Sequence, residues 1–302
     1  MRVRRRILLA TAFLAVGSGL GAPRSARAEE EVGAPPRVEW NPHWRRFRWW
    51  EYGATPILGG ASIYLHYYAP LPNQAKWQGD NAFDDTVRGW LRADTPGARA
   101  QAGAISDDLW LGGTAVPFVI DLPVVLLVHR QPQLAWQVLM MDLEANAVAG
   151  FINNSLFYEV GRGRPSHADC AADPSYDPLC GATGNNASFP SGHVLGIATA
   201  AGLTCVHHRY LPLYGNSTAD AGACGVMIAA TAVTGVTRVV ADRHYTSDVL
   251  VGGAIGFAAG YGLPWLLHYR AGADVAGPEA RHVFLVPFGG AQSVGLGVVG
   301  AL

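Results

Sequence analysis

The stretch "SFPSGHVLGIATAAGLTCVHH", residues 188–208, decides the fold. Its "PSGH" ends a long polar loop and opens an apolar helix that runs from Ser191 to about His208. Working outward, residues 134–160 form a long helix stopped at Gly161, and residues 222–240 and 246–268 form two more. Residues 106–129 read as a helix pair or one kinked helix, because Pro117 and Pro123 interrupt the run. Residues 51–68 are a weaker apolar helix, and Asp84 to Leu91 a short one. The pattern predicts an all-α fold, a helical bundle of about five to six core helices over residues 104–270. Residues 29–103 precede it as a segment with one apolar helix and a polar linker. The tail, residues 271–302, has a β-branched run, a Gly-Gly break and a second apolar run, which predicts a short β-hairpin.

Of the 302 residues 50% are hydrophobic and 15% charged, against roughly 25% charged in an average domain, and the mean hydropathy is +0.14. The longest uncharged runs, 221–237 and 249–267, approach the roughly 20 residues a spanning helix needs. A membrane-embedded bundle and an apolar periplasmic one both remain open. "HWRRFRWW" (residues 43–50) fits either a membrane interface or packed tryptophans. Residues 1–28 have the layout of a secretory signal peptide: basic "MRVRRR", apolar "ILLATAFLAVGSGL" and "ARA" before Glu29. A retained N-terminal anchor is the alternative. Export places the chain in the cell envelope, periplasmic or embedded with its site on the periplasmic side. The segment holds Arg2, Arg4, Arg5, Arg6, Arg24 and Arg27 and no acidic residue, so its removal leaves an acidic chain. That argues against a nucleic-acid partner.

An exported chain keeps disulfides. Cys170 and Cys180 flank "AADPSYDPL" and are placed to bridge it, whereas Cys205 and Cys224 lie in apolar helical segments and read as buried thiols. No cysteine or histidine spacing suggests zinc.

Chemistry concentrates at three helix ends. "GRGRP" carries Arg162 and Arg164. "SFPSGHVLG" carries Ser191, Gly192 and His193 at a helix start, where free N–H groups and the macrodipole favour an anion. "TRVVADRHYTSD" carries Arg238, His244 and Asp248. If His244 and Asp248 share a helix, their spacing puts them on one face, where the carboxylate fixes the imidazole tautomer. Each motif alone has a bland reading, as a Ser cap with a surface histidine or a helix ion pair. Together they assemble cations, a helix start, a proton-donating histidine and a nucleophilic one, a set suited to a phosphate ester.

In order and spacing these motifs resemble the three signatures of the type 2 phosphatidic acid phosphatase (PAP2)/vanadium haloperoxidase superfamily. The resemblance spans residues 157–248, with its helical envelope about 104–268. It implies that His244 attacks phosphorus to give a phosphohistidine, that Asp248 orients it and that His193 protonates the leaving oxygen. Arg164, Arg238, Ser191 and the Gly192 N–H would hold the phosphoryl oxygens, with Arg162 as a supporting charge. No cofactor is implied, and the substrate is a lipid phosphate or a small phosphomonoester. The family's third-motif serine is Thr237 here, and its first-motif lysine is Phe157. Lys76 is the only lysine in the chain. Two alternatives follow: a phosphate- or lipid-binding envelope protein with weak turnover, supported by Phe157, and a vanadate-dependent halide oxidase, weakened by the missing cation.

Overall fold

Helix starts and stops fall where local chemistry puts them. The computed structural model describes residues 38–78, 81–181 and 186–272 and the backbone of two C-terminal strands. The expected signal peptide, residues 1–28, lies outside the described residues. The helices are α1 (Trp49–Tyr67), α2 (Ala82–Leu91), α3 (Pro96–Val116), α4 (Pro132–Val160), α5 (His167–Ala172), α6 (Gly192–Tyr210), α7 (Ser217–Val240), α8 (Thr246–Phe257) and α9 (Leu263–Leu267). Asn81, Thr95 and Asn216 cap α2, α3 and α7 by accepting backbone N–H bonds of the first turn. Gly161 closes α4 at φ +54°, a left-handed conformation that glycine adopts without strain.

One boundary differs from the sequence reading, and of the two readings of residues 106–129 the single distorted helix is the one observed. Helix α3 begins at Pro96, so the domain boundary expected at 104 falls inside it. Its polar first turns, "PGARAQAG", looked like linker. Pro117 and Pro123 do not split the following run. Each sits at the entrance to a π-helical turn, Pro117–Asp121 and Val124–Val128, and the run stays continuous from Pro96 to Val128.

Helix α6 forms the centre, packed against α3, α4, α7 and α8, with α1 laid on α4. Three glycines explain the tightest contact. A Cβ on Gly252 would stand 2.7 Å from the Ser191 carbonyl oxygen, one on Gly256 2.2 Å from that of Leu195, and one on Gly260 2.0 Å from that of Thr199. This stripe lets α8 and the π turn after it lie on the α6 backbone, which brings the starts of α6 and α8 side by side. Gly256→Ala should therefore destabilise the protein by about 3 kcal/mol or more, because the obstacle is backbone and cannot step aside. A denaturation midpoint equal to wild type would show that the helices separate at no cost.

Two disulfides staple the chain. Cys170 pairs with Cys180 across the loop between the first two motifs. Cys205 and Cys224, expected as buried thiols, are instead bonded to each other and join α6 to α7. The two helices are adjacent and antiparallel around a short loop, a register invisible to spacing alone. At the opposite end of the bundle Val125, Val138, Met141, Val206 and Tyr269 form the main apolar cluster.

"HWRRFRWW" divides its roles. Trp44 packs edge-on against Tyr269 and Tyr210, while Trp49 is 86% exposed. Pro96–Val128, Ser217–Val240 and Thr246–Leu267 are long and apolar enough to cross a membrane. Leu111, Leu127, Val226, Val236 and Leu250 on these segments are exposed, so their outer faces suit lipid contact. The tail forms the expected hairpin: β1 (Val283–Gly290) runs antiparallel to β2 (Ser293–Gly300).

Candidate active site

The end of α4, the start of α6, the end of α7 and the start of α8 meet around one cavity of about 440 Å³. Arg164, Gly192, His193 and His244 line it, together with Trp110 and Phe157. Arg238 reaches the same place: its Nη2 lies 3.5 Å from His244 Nε2. Ser191 precedes the first residue of α6, and its hydroxyl is buried without a hydrogen-bond partner. Asn153, against which a Cβ on Gly192 would press at 3.3 Å, also leaves its side-chain oxygen without one. Buried polar atoms are rarely left unsatisfied, so these two are open to a ligand's polar groups.

His244 and Asp248 do not share a helix. α8 starts at Thr246, and His244 sits in the turn before it. His244 Nδ1 donates to the Ser188 carbonyl at 2.7 Å, whereas Asp248 Oδ2 is 3.9 Å away. A carbonyl only accepts, so Nδ1 carries the proton and Nε2 presents its lone pair to the cavity. Ser188 is the junction: its N–H donates to the Arg162 carbonyl and its hydroxyl to Asp248 Oδ2 at 2.6 Å. Asp248 thus supports the imidazole through Ser188 instead of touching it.

Arg162 is placed differently from the expectation. It is fully buried, donates to Asp248 Oδ1 at 2.6 Å, Ser247 Oγ at 2.8 Å and Asp84 Oδ2 at 2.8 Å, and lies between the rings of Trp77 and Tyr245. Gly161 ends α4 just before it, and the chain turns Arg162 away from the cavity that Phe157 lines. Its charge is committed to two carboxylates, so it does not replace the lysine absent at 157. Lys76 does not either, since its ammonium donates to the Tyr158 carbonyl at the end of α4. Arg243 pairs with Asp177 of the disulfide-bridged loop. Thr237 bonds back to the Val233 carbonyl within α7.

The sequence reading also missed Asp107. One of its oxygens lies 3.0 Å from His193 Nε2 and 3.0 Å from Arg238 Nη1. That carboxylate is 59% exposed, an anion set against Arg238 at the edge of the cavity. Trp110, 4.8 Å from the His193 ring, walls the same corner.

Burial, then the charges of Arg238 and Arg164, push the His193 pKa down to about 3. Burial and the same two arginines hold His244 well below its ordinary value, against the Ser188 bond. Both imidazoles are neutral at pH 7. Below the unfolded-state value of about 6.5, the unfolded chain takes up protons that the folded one refuses. Stability should therefore fall as the pH falls from about 6.5 towards 3, by up to about 1.4 kcal/mol per pH unit for each histidine. Denaturation at pH 7, 6 and 5 checks this, and His193→Asn should lessen the slope. A stability flat down to pH 5 would contradict the depressed values.

The helical bundle thus turns two neutral histidines, two arginines and a helix start into one cavity, an arrangement suited to an anion. The family model of the PAP2 superfamily matches residues 139–271. Over 146 residues it is 30% identical to a Lipid A 1-phosphatase of Porphyromonas gingivalis, a match covering 48% of this chain and 27% of that protein. The chain thus spans about a quarter of the length of that relative. No solved structure matches it significantly.

Proposed function

We propose that the chain is a phosphatase of the cell envelope that hydrolyses a lipid phosphate through a phosphohistidine. The observation that carries this reading is the unprotonated Nε2 of His244, whose ring is held through Nδ1 by the Ser188 carbonyl and which accepts from Arg238 Nη2 at 3.5 Å. The relative's name adds support for a lipid substrate, as do the membrane-capable helices.

The phosphoryl group displaces Asp107 and lies among Arg164, Arg238, the Ser191 hydroxyl and the Gly192 N–H. His244 Nε2 attacks phosphorus, the bond to the leaving oxygen breaks, and that oxygen takes a proton from His193. Because free His193 is neutral, the proton arrives with the substrate monoanion, whose second ionisation lies near pH 6. Water then attacks the phosphohistidine, its proton passes to His193, and inorganic phosphate departs. Purified mature protein should hydrolyse phosphatidate, lipid A and an aryl phosphate, with orthovanadate inhibiting. Binding of these lipids without phosphate release between pH 5 and 8 would leave a lipid-binding protein instead.

Phe157 supports slow turnover, because an apolar ring lines the wall where a third cation would stand. Phe157→Lys should raise kcat/KM on aryl phosphate about tenfold, the size of one added charge-assisted hydrogen bond. A folded Phe157→Lys protein with unchanged or lower kcat/KM would mean that the pocket is complete without it.

A further inference from the structure

At the end of the bundle away from the phosphate pocket, three ligating side chains converge in the interior. Glu51 opens α1, Glu144 lies midway along α4, and His268 follows α9. One ligand atom of each lies within 4.8 Å of the others, and all three residues are buried, at 0%, 5% and 0% exposure. α8, the π turn after it and α9 run in sequence from the start of α8 to His268, so His268 lies roughly 30 Å from the His244 end of the pocket.

His268 is oriented as a ligand. Its Nδ1 lies 3.0 Å from the Arg45 carbonyl and must donate to it. In the neutral ring that leaves Nε2 as a bare lone pair. The Phe47 ring stacks on the imidazole at 5.9 Å and 12°, fixing its plane. Nε2 points at Glu144 Oε2 from 3.6 Å, too far for a hydrogen bond, and has no hydrogen-bond partner although fully buried. Two ligands each about 2.1 Å from one ion at a tetrahedral angle stand about 3.4 Å apart. Arg48 holds the third group: its Nε donates to Glu51 Oε1 at 3.0 Å and its backbone N–H to Oε2. Each carboxylate oxygen keeps a second lone pair, so Arg48 serves as the outer partner that fixes Glu51. Two buried carboxylates against one arginine leave a negative charge for a cation to offset.

We propose that Glu51, Glu144 and His268 bind one divalent first-row metal ion, which fastens residues 45–51 and α1 to α4 and the end of α9. Two carboxylates and one imidazole suit Zn²⁺ or Mn²⁺. The ion would be structural, since the phosphate pocket lies at the other end of the bundle.

The test uses the full chain, purified in detergent without chelator. Elemental analysis should find about one equivalent of metal per chain. Stripping with EDTA should lower the melting temperature by about 5 °C or more, and Zn²⁺ or Mn²⁺ should restore it. Glu144→Gln and His268→Gln should lose the metal, while His244→Asn retains it. Wild-type protein without stoichiometric metal, and with a melting temperature indifferent to EDTA, Zn²⁺ and Mn²⁺, would overturn the proposal in favour of a direct His268–Glu144 contact. Metal lost in His244→Asn but kept in Glu144→Gln would overturn it too. If both ligand variants fail to fold, the wild-type arm still decides.

Discussion

His244→Ala should lower kcat by at least about 10³-fold while leaving the fold and phosphate binding in place. His244 offers an unprotonated nitrogen, pre-oriented by the Ser188 carbonyl, beside Arg238. His193 is held by Asp107 on its cavity nitrogen and stands against Trp110. Arg164, Arg238 and the α6 start persist in the variant, so vanadate should still bind and the residual rate should reflect binding alone. His244→Asn is the stricter version, because its amide can keep the bond to the Ser188 carbonyl and leaves a smaller void. Turnover within tenfold of wild type in either variant would remove His244 as the nucleophile. The proposed metal ion would be untouched by that result, because it rests on residues at the opposite end of the bundle.

The parts of this molecule legible in the sequence are those encoded locally. "PSGH" announces a helix start through a proline, a cap and a glycine in a row, and Gly161 announces a stop. The bundle's helices followed from apolar runs, and the cavity gathers His193, His244 and Arg164 from motifs singled out in one dimension. What escaped was decided by partners distant in sequence. Ser188 looked like a loop residue until its carbonyl met His244. Asp107 is one of two adjacent aspartates on α3, and nothing local says that it turns towards His193 and Arg238. The bond between Cys205 and Cys224 depends on the register of α6 against α7. Arg162, expected as a supporting charge, escapes the pattern because the turn at Gly161 directs it to Asp84 and Asp248, partners distant in sequence.

Arg162→Met should destabilise the protein by about 3–5 kcal/mol, the cost of removing one partner from a buried ion pair. Arg162, Asp84 and Asp248 are all fully buried, and the guanidinium spans both carboxylates. Burial pushes the Asp84 carboxyl up, yet bonds from Ser247 and Arg162 hold it below the ordinary value, so it is charged at pH 7. Methionine fills the space between Trp77 and Tyr245 but leaves two carboxylates without that cation. Arg162→Lys should be intermediate, because a single ammonium lacks the planar fork that reaches both. Denaturant midpoints of the three proteins test the order, and adding Asp84→Asn to Arg162→Met should return part of the loss if uncompensated charge is its cause. A midpoint for Arg162→Met within about 1 kcal/mol of wild type would mean that packing alone holds α2 to the start of α8. The expected loss would reach the chemistry as well, because the Arg162 carbonyl accepts from Ser188 and the Ser188 carbonyl holds His244. A cation that never touches the phosphate therefore decides whether the nucleophile is aimed at it.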